Sequence, residues 1–366
     1  MFLANTNLVP SYDMLGLPAP AWLIQLLMAL TLALHWAFLA MTAGGVVALI
    51  FSRNRSPDVS AAAMRTSLGI VLPFSLSMAM TLGIAPLLFV QTLYGNLFYA
   101  ANIMMAYVWL GLLIFMLVNL YLLFLGWSRL KRNLSVRTTS IIILILMALS
   151  ALILSSMATL TQNPQDWEQF RAHSGGVPYL ADATLLPRWL LALCALLAGG
   201  SLFAAIYERM YLSAGKEETQ QRMSKLLLVS ALSVVGVLLC GLWGSLMLSE
   251  QARETLSGSG ESIFGYAALV LFHVAMVVAF AASRRASPAK MIVAAIAFFL
   301  ALFSTAALRD TVRRIALADY HSPLRMTVHA QWSSFVLFAI IFVLGLGVVA
   351  YAVRISYRQK LPTAGY

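Results

Sequence analysis

The chain has 366 residues, 61% of them hydrophobic and only 10% charged, with a mean hydropathy of +0.87. A water-soluble globular domain carries about 25% charged residues, so composition excludes that class and points to a chain that crosses a membrane repeatedly. The net charge of +11 follows the loops between apolar stretches, which makes it a signature of membrane topology and implies no nucleic-acid partner.

Nine apolar stretches reach the roughly 20 residues that a helix needs to cross the hydrocarbon: 20 to 51, 66 to 93, 98 to 128, 138 to 160, 187 to 211, 225 to 248, 263 to 283, 288 to 308 and 330 to 353. The expected fold is an all-α integral membrane protein, a single polytopic domain over 1–366 built as a bundle of about nine transmembrane helices. A leader, 1–19, holds Pro10 and Pro18 but no Lys or Arg. It lacks the basic start of a cleaved signal peptide, so the mature protein is expected to begin near Met1. With the N-terminus outside, 17 of the 24 Lys and Arg residues fall on the inner side. They include Arg53, Arg55 and Arg65, Arg129 to Arg137, Arg209 to Lys225, Arg284 to Lys290, and Arg354 to Lys360. The C-terminus is then cytoplasmic, as in a multi-pass protein of a bacterial-type inner membrane.

The first span carries His35 near its middle, in the pattern Ala29-Leu30-Thr31, His35, Phe38, Thr42, Gly44. A histidine at that depth is costly and marks a functional site by default; haem iron is the commonest reason for a neutral imidazole there. The alternative is a histidine that hydrogen-bonds across helices. Over these roughly twenty residues the pattern resembles the first helix of the large subunit of cytochrome bd-type quinol oxidases. The resemblance implies a b-type haem with His35 as a ligand, quinol as electron donor, and a nine-helix plan with the N-terminus out and the C-terminus in.

The second span holds Pro73 and Pro86. Its text Gly83-Ile84-Ala85-Pro86-Leu87-Leu88-Phe89-Val90-Gln91, followed by Tyr94-Gly95-Asn96, resembles the same family more loosely. Where that family has a membrane carboxylate, this chain has Leu87 and Leu88. The fifth span lacks a histidine, and the connection from Ser249 to Ser262 is far shorter than the family's loop there. The chain is therefore not expected to act alone as a terminal oxidase.

An outer loop at 161–186 precedes Pro187, a residue suited to a helix start, with Trp167 and Trp189 expected as anchors at the membrane interface. Cys194 and Cys240 fall inside the fifth and sixth spans, where a thiol behaves as a small apolar group. The seventh span supplies His273, the expected second axial ligand to the same iron, with Thr31 and Tyr266 as groups to orient the two rings. Met78, Met80 and Met276 are weaker candidates. All 13 Asp and Glu residues lie in loops or at helix ends, which counts against a proton-coupled transporter.

A second outer segment, 309–329, bears Arg309, Arg313, Arg314 and Arg325 with His321 and His329, although basic residues are disfavoured on that side. Arg309, Arg313, His321, Arg325 and His329 are expected to line an outward-facing site for quinol, haem propionates or an acidic partner. His329, close to Gln331 and Trp332, suits the acceptance of a quinol proton. The plainer alternative is a solvated helix end with Asp310 and Asp319 pairing the arginines. The resulting expectation is a membrane subunit of a respiratory electron-transfer system that binds haem b and exchanges electrons with quinol or quinone near the outer face. Its partners would be membrane lipid and other respiratory subunits such as a cytochrome or an iron–sulfur protein. The rival readings are a haem-free quinone-binding or scaffold subunit and a solute transporter.

Overall fold

The computed structural model describes residues 9–10, 16–51, 59–174, 176–211, 217–284 and 288–358. Arg53, Arg55, Lys216, Arg285 and Lys360, and most of the leader, lie outside the described residues. Apart from an isolated bridge between Leu17 and Val328, the regular structure described is helical. Among the described residues, eight helices are long and apolar enough to cross a membrane, and the chain is a multi-pass membrane protein.

The helices are α1 (Ala21–Phe51), α2 (Val59–Met104), α3 (Ala106–Lys131), α4 (Arg137–Gln162), the short α5 (Trp167–Ser174), α6 (Leu185–Tyr211), α7 (Glu217–Met247), the short α8 (Glu250–Gly258), α9 (Ile263–Arg284), α10 (Pro288–Ala316) and α11 (Trp332–Arg358). The ninth expected span coincides with α11, whose described apolar stretch, Trp332–Gly345, is shorter than the other eight.

α1 is the axis of the bundle. It packs against α2, α4, α6, α7 and α10, and its contact with α6 is made by backbone. A β-carbon added at Gly44 would lie 1.8 Å from the Gly200 carbonyl oxygen, and one at Gly200 would lie 2.1 Å from that of Ala40. Helices in lipid associate through close packing at small residues of this kind. α6 meets α10 through the Phe298 ring, which occupies the space above Gly199 and stands edge-on to Phe272 of α9. Thr42 of α1 and Ser75 of α2 share a 2.8 Å hydrogen bond.

The turn expected near residues 94–97 is absent. α2 runs on through Pro73 and Pro86, bends at Tyr94 (φ −135°, ψ 30°) and continues to Met104, so the third helix begins at Ala106, eight residues later than expected. A bend frees backbone groups that must find partners. The freed Leu93 carbonyl accepts a 2.7 Å hydrogen bond from His321 Nε2, and the buried Tyr94 hydroxyl donates to Asp310.

α10 also departs from expectation. It stays helical two turns past the end of its apolar run, so 309–316 is helix and only the remainder of the 309–329 segment is loop. The 161–186 connection is partly helical, with a turn at Pro164–Asp166 followed by α5. Trp167, expected as an interface anchor, is a core residue whose indole donates to the Leu160 carbonyl. Trp189 donates likewise to Ala148 of α4. The start of the chain is tied to the approach to α11: Leu17 N–H donates to Thr327 O, while His329 N–H and Gln331 N–H donate to Leu17 and Pro18 carbonyls.

Candidate functional site

His35 stands in the middle of α1, and its ring is oriented by the neighbouring helix. Nδ1 lies 2.7 Å from the Ala79 carbonyl oxygen of α2; a carbonyl can only accept, so Nδ1 carries the proton and Nε2 is left with its lone pair. No hydrogen bond engages Nε2 among the described residues. This is the second-nitrogen arrangement found in metal-ligating histidines. Gly83, one turn after Ala79, makes the room: a β-carbon there would sit 2.8 Å from Nδ1. Thr31, expected to orient the ring, bonds back to Leu27 and Met28 of its own helix. Leu34, His35, Trp36, Ala37 and Phe38 are each partly accessible, although α1 touches five helices.

His273 bonds back to Leu269 O at 2.8 Å within α9, a helix that packs on α6, α7 and α10. Tyr266, expected to orient it, is 70% exposed. The two histidines therefore engage carbonyls on different helices and share no hydrogen bond.

The basic segment divides into two layers. Arg313 is buried on α10 and touches Asp310 (3.4 Å), the Met28 sulfur (3.7 Å) and the face of Tyr94 (5.2 Å to the ring centre). Arg309, one turn deeper, lies within electrostatic reach of His35, of Arg313 and of Arg188 on α6. Arg309 has no hydrogen bond or ion pair among the described residues. Arg314 pairs with Glu261 and Asp310. By contrast, Arg325 and His329 are exposed, and Asp319, expected to pair with the arginines, is exposed as well. The physical reason is the extension of α10, which carries Arg309, Asp310 and Arg313 inward against α1 and α2 while the later residues stay in the loop.

Sequence reasoning missed Arg188, whose guanidinium donates to the buried Gln162 of α4 at 3.0 Å. Its position beside Pro187 made it read as an ordinary helix start. It also missed the burial of two acids near helix ends: Asp310, and Glu208, which is 0% exposed and pairs with Arg222 of α7 at 2.5 Å.

His321 offers a pH probe of this end of the bundle. Burial lowers its pKa below the ordinary value near 6.5, and the Leu93 bond opposes that only in part. The unfolded chain then binds the proton more readily, so the stability contributed by neutral His321 is complete above about pH 6.5 and declines as pH falls through the lowered folded value. His321→Gln, which still donates to Leu93 but does not titrate, is expected to flatten the fall in thermal unfolding midpoint between about pH 7.5 and 5. Parallel pH curves for the variant and wild type would refute this.

Among the described residues, no group of three or more His, Cys, Asp or Glu side chains gathers to hold a bare metal ion. A haem iron takes four ligands from its porphyrin and needs only one or two from protein, which fits a single imidazole with a free nitrogen and arginines nearby. No protein-family model matches the chain, and no curated protein is significantly similar to it.

Proposed function

We propose that this chain is a membrane subunit of a respiratory electron-transfer system, distantly related to the large subunit of cytochrome bd-type quinol oxidases, with haem b held by His35 and electrons taken from quinol near the outer face. The observation that carries the reading is His35 itself: an imidazole at mid-membrane, its Nδ1 proton held by Ala79, its Nε2 free, and Gly83 opening the space beside it. When bound, the haem accepts and releases one electron at a time. The residues of this chain that would hold it are His35 at the iron, Arg309 and Arg313 toward the propionates, and His273 as a candidate second imidazole.

The sidedness follows from the Lys and Arg distribution, N-terminus outside and C-terminus cytoplasmic in a bacterial-type inner membrane. Arg325 and His329, exposed at the outer end, are the candidates to meet quinol or an acidic patch on a partner cytochrome or iron–sulfur protein. Quinol would release its protons there, where a histidine is a suitable acceptor. With Leu87 and Leu88 in place of a membrane carboxylate, the chain lacks a buried acid there to deliver protons, which counts against its acting alone as a terminal oxidase.

A reduced-minus-oxidised absorption spectrum of the purified protein tests the reading: a sharp haem b band is expected, and its absence would leave the haem-free quinone-binding or scaffold subunit. The isolated chain supplied with quinol is expected to consume oxygen slowly or not at all. Rapid cyanide-insensitive consumption would overturn the need for a partner.

A further inference from the structure

The charges at the outer end of the bundle do not balance locally. Arg188, Arg309 and Arg313 come from α6 and α10 and act on one another electrostatically. Asp310 is the carboxylate that hydrogen-bonds within this trio, and it is shared with Arg314. Asp182 is within electrostatic reach of Arg188, but its oxygens accept from Thr184 and Asn163. Arg309 makes no hydrogen bond or close ion pair among the described residues, and Asp310 is the carboxylate within its electrostatic reach. Gln25, three residues before Met28 and so on the same face of α1, has a buried amide nitrogen with no hydrogen-bond partner. The unpaired amide donor of Gln25 carries an energetic penalty that an acceptor removes, and an anionic acceptor also offsets the mutual repulsion of the clustered guanidiniums.

We infer that Arg188, Arg309 and Arg313, with Gln25 as an amide donor, form a built seat for an anionic oxygen group, and that its occupant is the propionate edge of the haem. This rests on the haem reading above and extends it with Arg188 and Gln25. The depth is suitable: Met28 marks the level of Arg313, and His35 lies seven residues further along α1, about 10 Å deeper at 1.5 Å per residue. A phospholipid phosphate offers the same chemistry and is the competing source.

The test uses purified full-length protein with Arg309→Gln, Arg188→Gln and Arg188→Lys, and Arg253→Gln on the exposed α8 as control. Haem content, haem midpoint potential and bound phospholipid by native mass spectrometry are read together. Removing a cation beside the propionates favours the oxidised haem, so both Gln variants should keep haem but shift its potential downward, with Arg188→Lys restoring part of the shift. Haem at wild-type potential in both Gln variants would overturn the seat while leaving the haem reading intact. A wild type without haem would overturn the haem reading and the propionate assignment together. A phospholipid bound to wild type and lost from both Gln variants would assign the seat to phosphate and overturn the propionates.

Discussion

His35→Ala is expected to abolish the reduced haem band while the protein still inserts and purifies. The imidazole makes one hydrogen bond, to Ala79 O, and a bond of this kind contributes only about 1 kcal/mol net. On the haem reading, removing the imidazole would also remove a bond to the iron. Two companions make the result specific to ring position. Gly83→Ala puts a β-carbon 2.8 Å from Nδ1, which must displace the ring, so the band should weaken or shift. Thr31→Val should leave the spectrum as it is, since that hydroxyl serves its own helix. A His35→Ala spectrum indistinguishable from wild type would remove His35 from the site.

The second large effect belongs to packing. Gly200→Val is expected to prevent accumulation of a monodisperse folded protein, because the new β-carbon would lie 2.1 Å from Ala40 O and 2.7 Å from Gly44 N. Those are backbone atoms of the central helix and cannot swing aside as a side chain would. Overpacking typically costs about 1–3 kcal/mol even when side chains can yield, against a total stability of about 5–15 kcal/mol. Gly111→Ala provides the contrast, since nothing lies within 4 Å of its β-carbon position; it should be neutral or slightly stabilising through helix propensity. The readout is the size-exclusion profile and thermal midpoint in detergent. A Gly200→Val protein matching wild type in both would show that α1 and α6 can part at little cost.

What the sequence made legible is what hydrophobicity encodes. The apolar run through His35 gave the right helix, and the expected spans match α4, α6 and α9 to within two residues at each end. Three features stayed hidden because they depend on tertiary partners. The bend at Tyr94 follows from the Tyr94–Asp310 bond and from His321 satisfying Leu93, which join residues more than 200 positions apart. The last turns of α10 were invisible because hydropathy closes a span at its first charge, whereas Asp310 accepts from Tyr94 and Arg313 rests against Tyr94 and Met28. The acceptor for His35 could not be foreseen either, since Ala79 is apolar and its backbone carbonyl leaves no mark in side-chain chemistry.

The position of α1 also sets an order of events during synthesis. Its costliest group, His35, finds its acceptor 44 residues later on α2, the next helix to enter the bilayer. Its Gly44 groove waits for Gly200, roughly 150 residues further on, which at about 5–20 residues per second is on the order of 10–30 s. Nascent α1 and α2 thus leave the translocon as a hairpin in which His35 already has its acceptor and the glycine groove faces lipid. Truncated chains ending before α6 should therefore be open to capture by foreign small-residue helices, and the full chain closed to them.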